Sequence, residues 1–176
     1  MSIFLDLIQS LFVRGSMVIV MLTLTVNLND ALYQRTKYAN TKAHVGIVSD
    51  MMYDDLTQAG YNHTGPHIFC FAYAQDFRFH GDIDNNGTSE TVRYYAAFNS
   101  GTGCWSLYRS VNSGTALEVG KRFASISFQY YDSKNKITAD PSLINGVRIN
   151  LVENVEGATA GFTTATKDFK IYPSNL

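Results

Sequence analysis

The chain has 176 residues, with 14 basic and 15 acidic side chains, and 45% of its residues are hydrophobic. A net charge of −1 gives no positive field that would attract nucleic acid, so we expect no nucleic-acid partner. The length suits one ordinary domain in addition to a long helix.

The first sixty residues predict one long helix that ends at Gly60. No proline occurs before Pro66, and glycine is common directly after a helix. At roughly 1.5 Å per residue the helix would extend about 85 Å, which is more than a domain of this size needs for its core. We therefore expect the helix to serve as an anchor or to pack against copies of itself.

Residues 1–29 are predicted to form a membrane anchor that is not cleaved. Ile3–Leu28 is mostly apolar, and Gly15–Asn29 carries no charge. A bilayer span needs about 20 apolar residues, so the span would extend before Gly15, with Arg14 reaching the interface. This position of Arg14 favours a cytoplasmic N-terminus. A buried helix of a soluble protein and an interfacial helix are the alternatives.

Residues 30–60 continue the helix with an apolar stripe on one side. Its apolar residues recur at spacings of three and four, which places them on one helix face. They are Val45, Val48, Met52, Leu56 and Ala59. We expect this face to pack on a sheet while the N-terminal half of the helix projects.

Residues 61–176 predict an antiparallel β-sheet domain. Six segments, most of them alternating apolar and polar residues, read as half-buried strands: 77–80, 91–96, 105–109, 123–128, 147–151 and 169–172. Asn145-Gly146 predicts a tight turn with positive φ, and Gly157–Thr166 predicts a loop. The predicted fold class is α+β, with the C-terminal half of one long helix packed on an antiparallel sheet.

The segment Asp82–Gly87 begins like a calcium-binding loop. Carboxylate or amide oxygens stand at positions one, three and five, glycine stands at six, and an acid stands at nine. Position twelve is Arg93, not the usual bidentate acid, so a polar hairpin turn is the alternative. The candidate calcium ligands are Asp82, Asp84, Asn86 and Glu90. Calcium is the only cofactor that the sequence suggests.

The chain has two cysteines, Cys70 and Cys104, and they allow two interpretations. They form one disulfide, which would close a long loop, or they remain buried free thiols that pack as small apolar side chains. Two residues give no spacing pattern that distinguishes these alternatives.

Histidines offer a weaker candidate for a metal site. His63 and His67 precede Cys70 at short spacing, but the sequence shows no fourth ligand. His44 and His80 have no partner nearby in the sequence and are expected at the surface. We therefore expect no metal site other than the acidic loop.

Catalytic motifs are absent from the sequence. It contains no nucleophile elbow, no P-loop and no glycine-rich dinucleotide motif. We expect the protein not to be an enzyme and to have no small-molecule substrate.

Four segments together carry a family resemblance: Asp54–Tyr61, Phe79–Tyr95, Leu107–Asn112 and Tyr172–Leu176. They match, in order, the helix exit D-L-x-x-A-G-Y, the turn and strand GD-x-D-x-x-G…V-x-Y, the strand L-x-R-x-v-n and the terminus P-R-N-L. The chain thus resembles type IV pilin-like proteins, and most closely the PilW-type minor pilins and the type II secretion J-class pseudopilins.

The resemblance implies a structural subunit of a type IV pilus or a pseudopilus-like envelope assembly. Such a subunit is anchored in the inner membrane, with its β-domain in the periplasm or outside the cell. Its partners would be the membrane and other pilin-like subunits or its own copies, bound through the N-terminal helix. The residues expected to carry assembly are Arg14, Met17, Val20, Met21, Leu24 and Leu28.

The N-terminus departs from the family pattern. Members usually have a basic leader and then Gly followed by Phe-Thr-Leu-Ile-Glu, with cleavage after the Gly. Here Arg14-Gly15 is followed by Ser16 in place of Phe, and Val20 stands where Glu is usual. This departure favours an alternative function, a membrane-anchored accessory or binding subunit of a larger envelope complex that has the pilin fold but forms no filament.

Overall fold

One long helix and one seven-stranded antiparallel sheet make up the fold, in a computed structural model that describes residues 2–155, 164–173 and 175. The helix α1 spans Ser2–Thr57, and a 3₁₀ turn spans Pro141–Leu143. The strands lie side by side in chain order. They are β1 Phe69–Tyr73, β2 Asp76–Gly81, β3 Glu90–Asn99, β4 Cys104–Val111, β5 Leu117–Tyr131, β6 Gly146–Asn154 and β7 Thr164–Ile171. The predicted α+β class is confirmed.

The C-terminal half of α1 packs on the concave face of the sheet. All five residues of the predicted stripe are at most 2% exposed. The helix contacts β7, β6 and β5. The stripe is buried because residues three and four apart share one helix face, and the alternating strands present a matching apolar face.

The helix ends at Thr57, slightly before the predicted end at Gly60. The chain then turns, and Ala59 forms a β-bridge with Gly81 at the end of β2. Gly60 has a φ of +83°, a conformation that side chains with a Cβ atom rarely adopt. A Cβ atom at Gly60 would also lie 2.6 Å from the carbonyl oxygen of Asn175. The glycine therefore permits both the turn and the close approach of the C-terminal residues.

The sheet curls because its first hairpin reaches back to its fifth strand. The backbone N–H of Phe128 donates to the carbonyl of Ala74 at 2.9 Å, and the Tyr130 hydroxyl donates to the carbonyl of Tyr73 at 2.7 Å. Phe77 meets Phe128 edge to face, with ring centroids 4.8 Å apart. These contacts close the aromatic core under α1.

Three local predictions need correction. Strand β1 was not predicted, since its sequence contains apolar residues on both faces. The Asn145-Gly146 turn with positive φ is wrong, because Gly146 is the first residue of β6 and pairs with Tyr131. A Cβ atom at Gly146 would lie 2.8 Å from the Tyr172 ring, so a larger residue there would displace that ring.

The predicted loop Gly157–Thr166 is also too long at its C-terminal end. Residues 164–166 belong to β7, where they pair with β6. The remainder of that loop, and Ser174 and Leu176 of the C-terminal motif, lie outside the described residues.

Candidate functional site: the projecting helix and its junction with the sheet

The N-terminal half of α1 projects from the domain with its apolar side chains uncovered. Among the described side chains, every residue from Ile3 to Tyr33 is exposed. Nineteen of them are large apolar side chains, which are 48–83% exposed. Burial of one such side chain stabilises by about 1.5–3 kcal/mol, so together they exceed the net stability of a typical domain. The apolar side chains of this half of the helix therefore need an apolar environment, and their own domain does not provide one.

The segment from Met17 to Leu28 is apolar on all sides. A helix with that character is either buried in a large protein or spans a membrane. By length and composition α1 is able to cross a membrane, and the most apolar part of it is not buried in its own domain. The N-terminal segment is thus a candidate membrane anchor, as the sequence predicts.

Hydroxyl groups in this segment bond within the helix. Ser16 Oγ donates to the carbonyl of Val13, and Thr23 Oγ1 donates to the carbonyl of Ile19, each at 2.9 Å. Thr25 makes the same type of bond one turn back along the chain. Hydroxyls that bond to their own helix need no water, which suits an apolar medium.

The predicted assembly residues all lie on this projecting half. Met17, Met21, Leu24 and Leu28 follow Arg14 at spacings of three and four residues, so these five share one face of α1. Their role in assembly stays a prediction.

A buried polar network joins the other end of α1 to the sheet. The Tyr94 hydroxyl of β3 donates to Asp55 Oδ2 at 2.6 Å. Arg109 of β4 donates to the same carboxylate through Nε at 2.7 Å and Nη2 at 3.1 Å. Tyr94 and Arg109 are direct cross-strand neighbours, and Asp55 is only 8% exposed. The network fixes the rotation of the helix relative to β3 and β4.

The charges in this network stabilise each other. Burial, and then the negative charge of Asp55, raise the pKa of Tyr94, so that its hydroxyl remains protonated and donates. The hydrogen bond to Asp55 raises the pKa of Arg109 against the opposing effect of burial. The Tyr94 hydroxyl and the Arg109 guanidinium supply the hydrogen-bond donors that the buried Asp55 carboxylate requires.

Sequence reasoning did not predict this network, although one signal was present. Arg109 stands two residues after Leu107, so it shares the strand face of a core residue. A cation on a core face indicates a buried anionic partner. Asp55, Tyr94 and Arg109 come from three of the segments that carry the pilin resemblance, and the fold brings those segments together.

No family model matches the chain, and no curated protein is significantly similar to it.

A second polar contact lies where α1 leaves the sheet. Glu153 of β6 is fully buried, and His44 Nδ1 lies 2.6 Å from its Oε2. Arg122 of β5 approaches the other carboxylate oxygen at 3.7 Å. His44 is therefore partly exposed, with 36% of its side chain accessible, and it has a partner that is not near it in the sequence. The contact forms because the end of β6 lies against α1. The sequence gives no sign of it, since His44 and Glu153 are far apart along the chain.

The acidic loop is held by hydrogen bonds between its own residues. Ligand oxygens of Asp82, Asp84 and Glu90 lie within 4.8 Å of one another. However, Asp82 accepts backbone N–H bonds from Asn86 at 3.0 Å and from Gly87 at 2.8 Å. Burial would raise the pKa of Asp82, but these bonds and that from Asn62 lower it overall. The loop holds its carboxylate with protein donors, as a hairpin turn does, and calcium binding stays a prediction.

The two cysteines are free thiols, so the disulfide alternative is wrong; they are not buried either, since Cys70 is exposed and Cys104 is half-buried. Cys70 lies on β1 and Cys104 begins β4, with two strands between them.

His80 lies beside Cys70, which the sequence did not predict. Cys70 Sγ and His80 Nε2 are 3.1 Å apart, and the His63 ring stacks on the His80 ring at 4.5 Å. Burial, with the nearby charges of His63 and Arg78, lowers the pKa of His80. His80 is therefore a half-buried residue whose partners are not near it in the sequence.

Proposed function

We propose that this protein is a non-enzymatic, pilin-like structural subunit of a cell-envelope assembly. The observation that carries the proposal is the division of α1 into an uncovered apolar half and a half packed on a sheet. A subunit built in this way places its N-terminal half in a membrane or among neighbouring helices, while its domain remains outside.

The junction supports the proposal independently of the apolar segment. An assembly that holds subunits by their helices must transmit force from each helix to its domain. The contacts of Asp55 with Tyr94 and Arg109 provide such a connection, because they anchor the helix to two central strands. Three segments that resemble the pilin-like pattern supply these residues.

The proposed location is the inner membrane, with the β-domain in the periplasm or at the cell surface. The position of Arg14 before the uncharged run favours this orientation. Other pilin-like subunits, or copies of the chain, are the proposed partners along the face that includes Met17, Met21 and Leu24.

An accessory subunit of a larger envelope complex is the second candidate. The observation that favours it is the Val20 side chain, 58% exposed, at the position where a glutamate is usual in filament-forming relatives. Such a subunit would keep the anchor and the sheet but would not join a filament.

Val20 stands three residues after Met17 and four before Leu24, so it borders the same helix face and its substitution tests the role of that face. In the Val20→Asp variant a charge enters the apolar segment, at a cost of about 2.5–3.5 kcal/mol in the middle of a membrane helix. We expect loss of partner subunits after affinity purification from native membranes, whereas the control Val20→Leu retains them. Unchanged co-purification with Val20→Asp would contradict the proposal.

Electron microscopy of the same purified material distinguishes the two candidates. Helical filaments, or bound pilin-like subunits, would support the first. A discrete particle with unrelated membrane proteins would support the accessory subunit.

A further inference from the structure

A cavity of about 420 Å³ lies on the outer face of the sheet, at the edge formed by β1. The loop that follows α1 covers one side of it, and the 3₁₀ turn Pro141–Leu143 covers the other. Three histidines and one cysteine line this cavity, namely His63, His67, Cys70 and His80. Imidazole and thiol groups are the ligands that zinc and similar transition metals prefer.

Two of these groups are in direct contact with each other. Cys70 Sγ lies 3.1 Å from His80 Nε2. At a tetrahedral angle, zinc bonds of about 2.3 Å to sulfur and 2.0–2.1 Å to nitrogen place two ligands of one ion about 3.5 Å apart, so this pair would separate by roughly 0.4 Å to admit the ion. The other ring nitrogen of His80 is 3.1 Å from Thr91 Oγ1, which orients the imidazole toward the cysteine. Metal-binding histidines usually have such a second partner.

His63 supplies the third group. Its ring is parallel to that of His80, with centroids 4.5 Å apart and an interplanar angle of 1°. His63 Nε2 is buried and has no hydrogen-bond partner. Buried polar atoms in proteins almost always have a partner, so this unpaired nitrogen calls for a ligand, in a side chain that stacks on His80 and lines the same cavity as Cys70.

We propose that this cavity binds a divalent transition metal, with zinc as the best fit, through Cys70 Sγ, His80 Nε2 and His63 Nε2. Within the described residues, three such ligand atoms come within 4.8 Å of one another only at the acidic loop. The His63 side chain must therefore rotate toward the cysteine when the ion binds. Binding replaces the Cys70 thiol proton, which passes to solvent, and both imidazoles bind in their neutral form. A water molecule completes a tetrahedral set.

The site goes beyond the proposed envelope function and does not depend on it. It joins the loop after α1 to the first two strands, so the bound ion would hold this loop against the edge of the sheet. Cys70 is exposed, which gives an ion a path of entry.

Cobalt substitution tests the proposal on the full-length protein in detergent micelles, without a polyhistidine tag. We expect one equivalent of Co²⁺ to bind, with a thiolate-to-cobalt charge-transfer band and the visible bands of a tetrahedral ion. Zn²⁺ should displace the cobalt. The absence of the charge-transfer band in the wild-type protein would overturn the proposal.

Matched variants assign the ligands. Cys70→Ser should abolish the charge-transfer band, whereas Cys104→Ser, at the other cysteine of the chain, should leave it unchanged. His63→Ala and His80→Gln should weaken Co²⁺ binding by more than about 10-fold, the loss that even outer partners of a metal site produce. Circular dichroism verifies folding of each variant. An unchanged band in a folded Cys70→Ser variant would overturn the site, and unchanged affinity in His63→Ala would overturn the role of His63.

Discussion

The two halves of α1 have the same backbone conformation but opposite surroundings. Every described side chain from residue 3 to residue 33 is exposed, whereas Val48, Met52 and Leu56 are at most 2% exposed. The cause is the pattern of apolar residues. A single stripe lets a helix cover a sheet, but an apolar surface on all sides needs a membrane or other helices around it. The C-terminal half is thus stabilised by its own chain, and the N-terminal half depends on what surrounds the protein.

The largest expected effect concerns the polar network of the packed half. Asp55→Ala leaves Arg109 and Tyr94 without their shared acceptor, and loss of one partner from a buried ion pair costs about 3–5 kcal/mol. We expect a loss near 3 kcal/mol, because Arg109 retains 22% exposure. Chemical denaturation in detergent measures it, with the exposed neighbour Asp54→Ala as the control. Equal losses in both variants would show that the network does not hold the helix.

A paired substitution compares the two halves directly. Leu56→Ala removes a fully buried side chain and should destabilise the domain by about 2–4 kcal/mol. Leu24→Ala removes the same atoms from the projecting half, where the side chain is 56% exposed in the isolated chain. It should change the unfolding free energy of the β-domain by less than about 0.5 kcal/mol. Similar losses in the two variants would contradict the division of the helix.

Alkaline pH should weaken the packed half through Tyr94. Its pKa is raised in the folded protein, while an unfolded tyrosine titrates near 10. Above pH 10 the unfolded state loses a proton that the folded state keeps, so stability falls by about 1.4 kcal/mol per pH unit. Melting temperatures between pH 9 and 11 test this. The stability advantage of the wild type over Tyr94→Phe should shrink as pH rises. A difference that stays constant between pH 9 and 11 would contradict the predicted loss of stability.

The smallest effect is expected at the acidic loop, which follows the end of β2 that bridges to Ala59. Its buried carboxylate already accepts bonds from two backbone N–H groups and from Asn62. We therefore expect millimolar Ca²⁺ and a chelator to give the same melting temperature. A clear upward shift with Ca²⁺, lost in Asp84→Asn, would instead establish a calcium site.

Local periodicity was sufficient to predict the packed half. Val45, Val48 and Met52 were identified because helical spacing alone decides which residues share a face, and their burial is confirmed. The sheet was predicted for the same reason, since most strands alternate apolar and polar residues. Strand β1 was missed because Phe69 and Phe71 lie beside further apolar residues, which gives no alternation.

Contacts between distant segments could not be predicted in this way. Asp55 and Arg109 are 54 residues apart, and only the complete sheet brings them together. Cys70 meets His80 at an irregularity in the pairing of β1 with β2, where the register shifts between Phe69 and Phe71. Register depends on pairing along whole strands, so the sequence showed the candidate ligands but not their proximity.

Spin labels at two equally accessible helix positions test the central claim most directly. Met21 is 58% exposed and Tyr53 is 50% exposed in the isolated chain, so only their surroundings should differ. Each is replaced by cysteine in a background with Cys70→Ser and Cys104→Ser, and the labelled full-length protein is reconstituted in lipid vesicles. The account predicts that the label at position 21 collides with oxygen but not with a water-soluble nickel complex, and that the label at position 53 shows the reverse. Equal access of the nickel complex to both labels would contradict it.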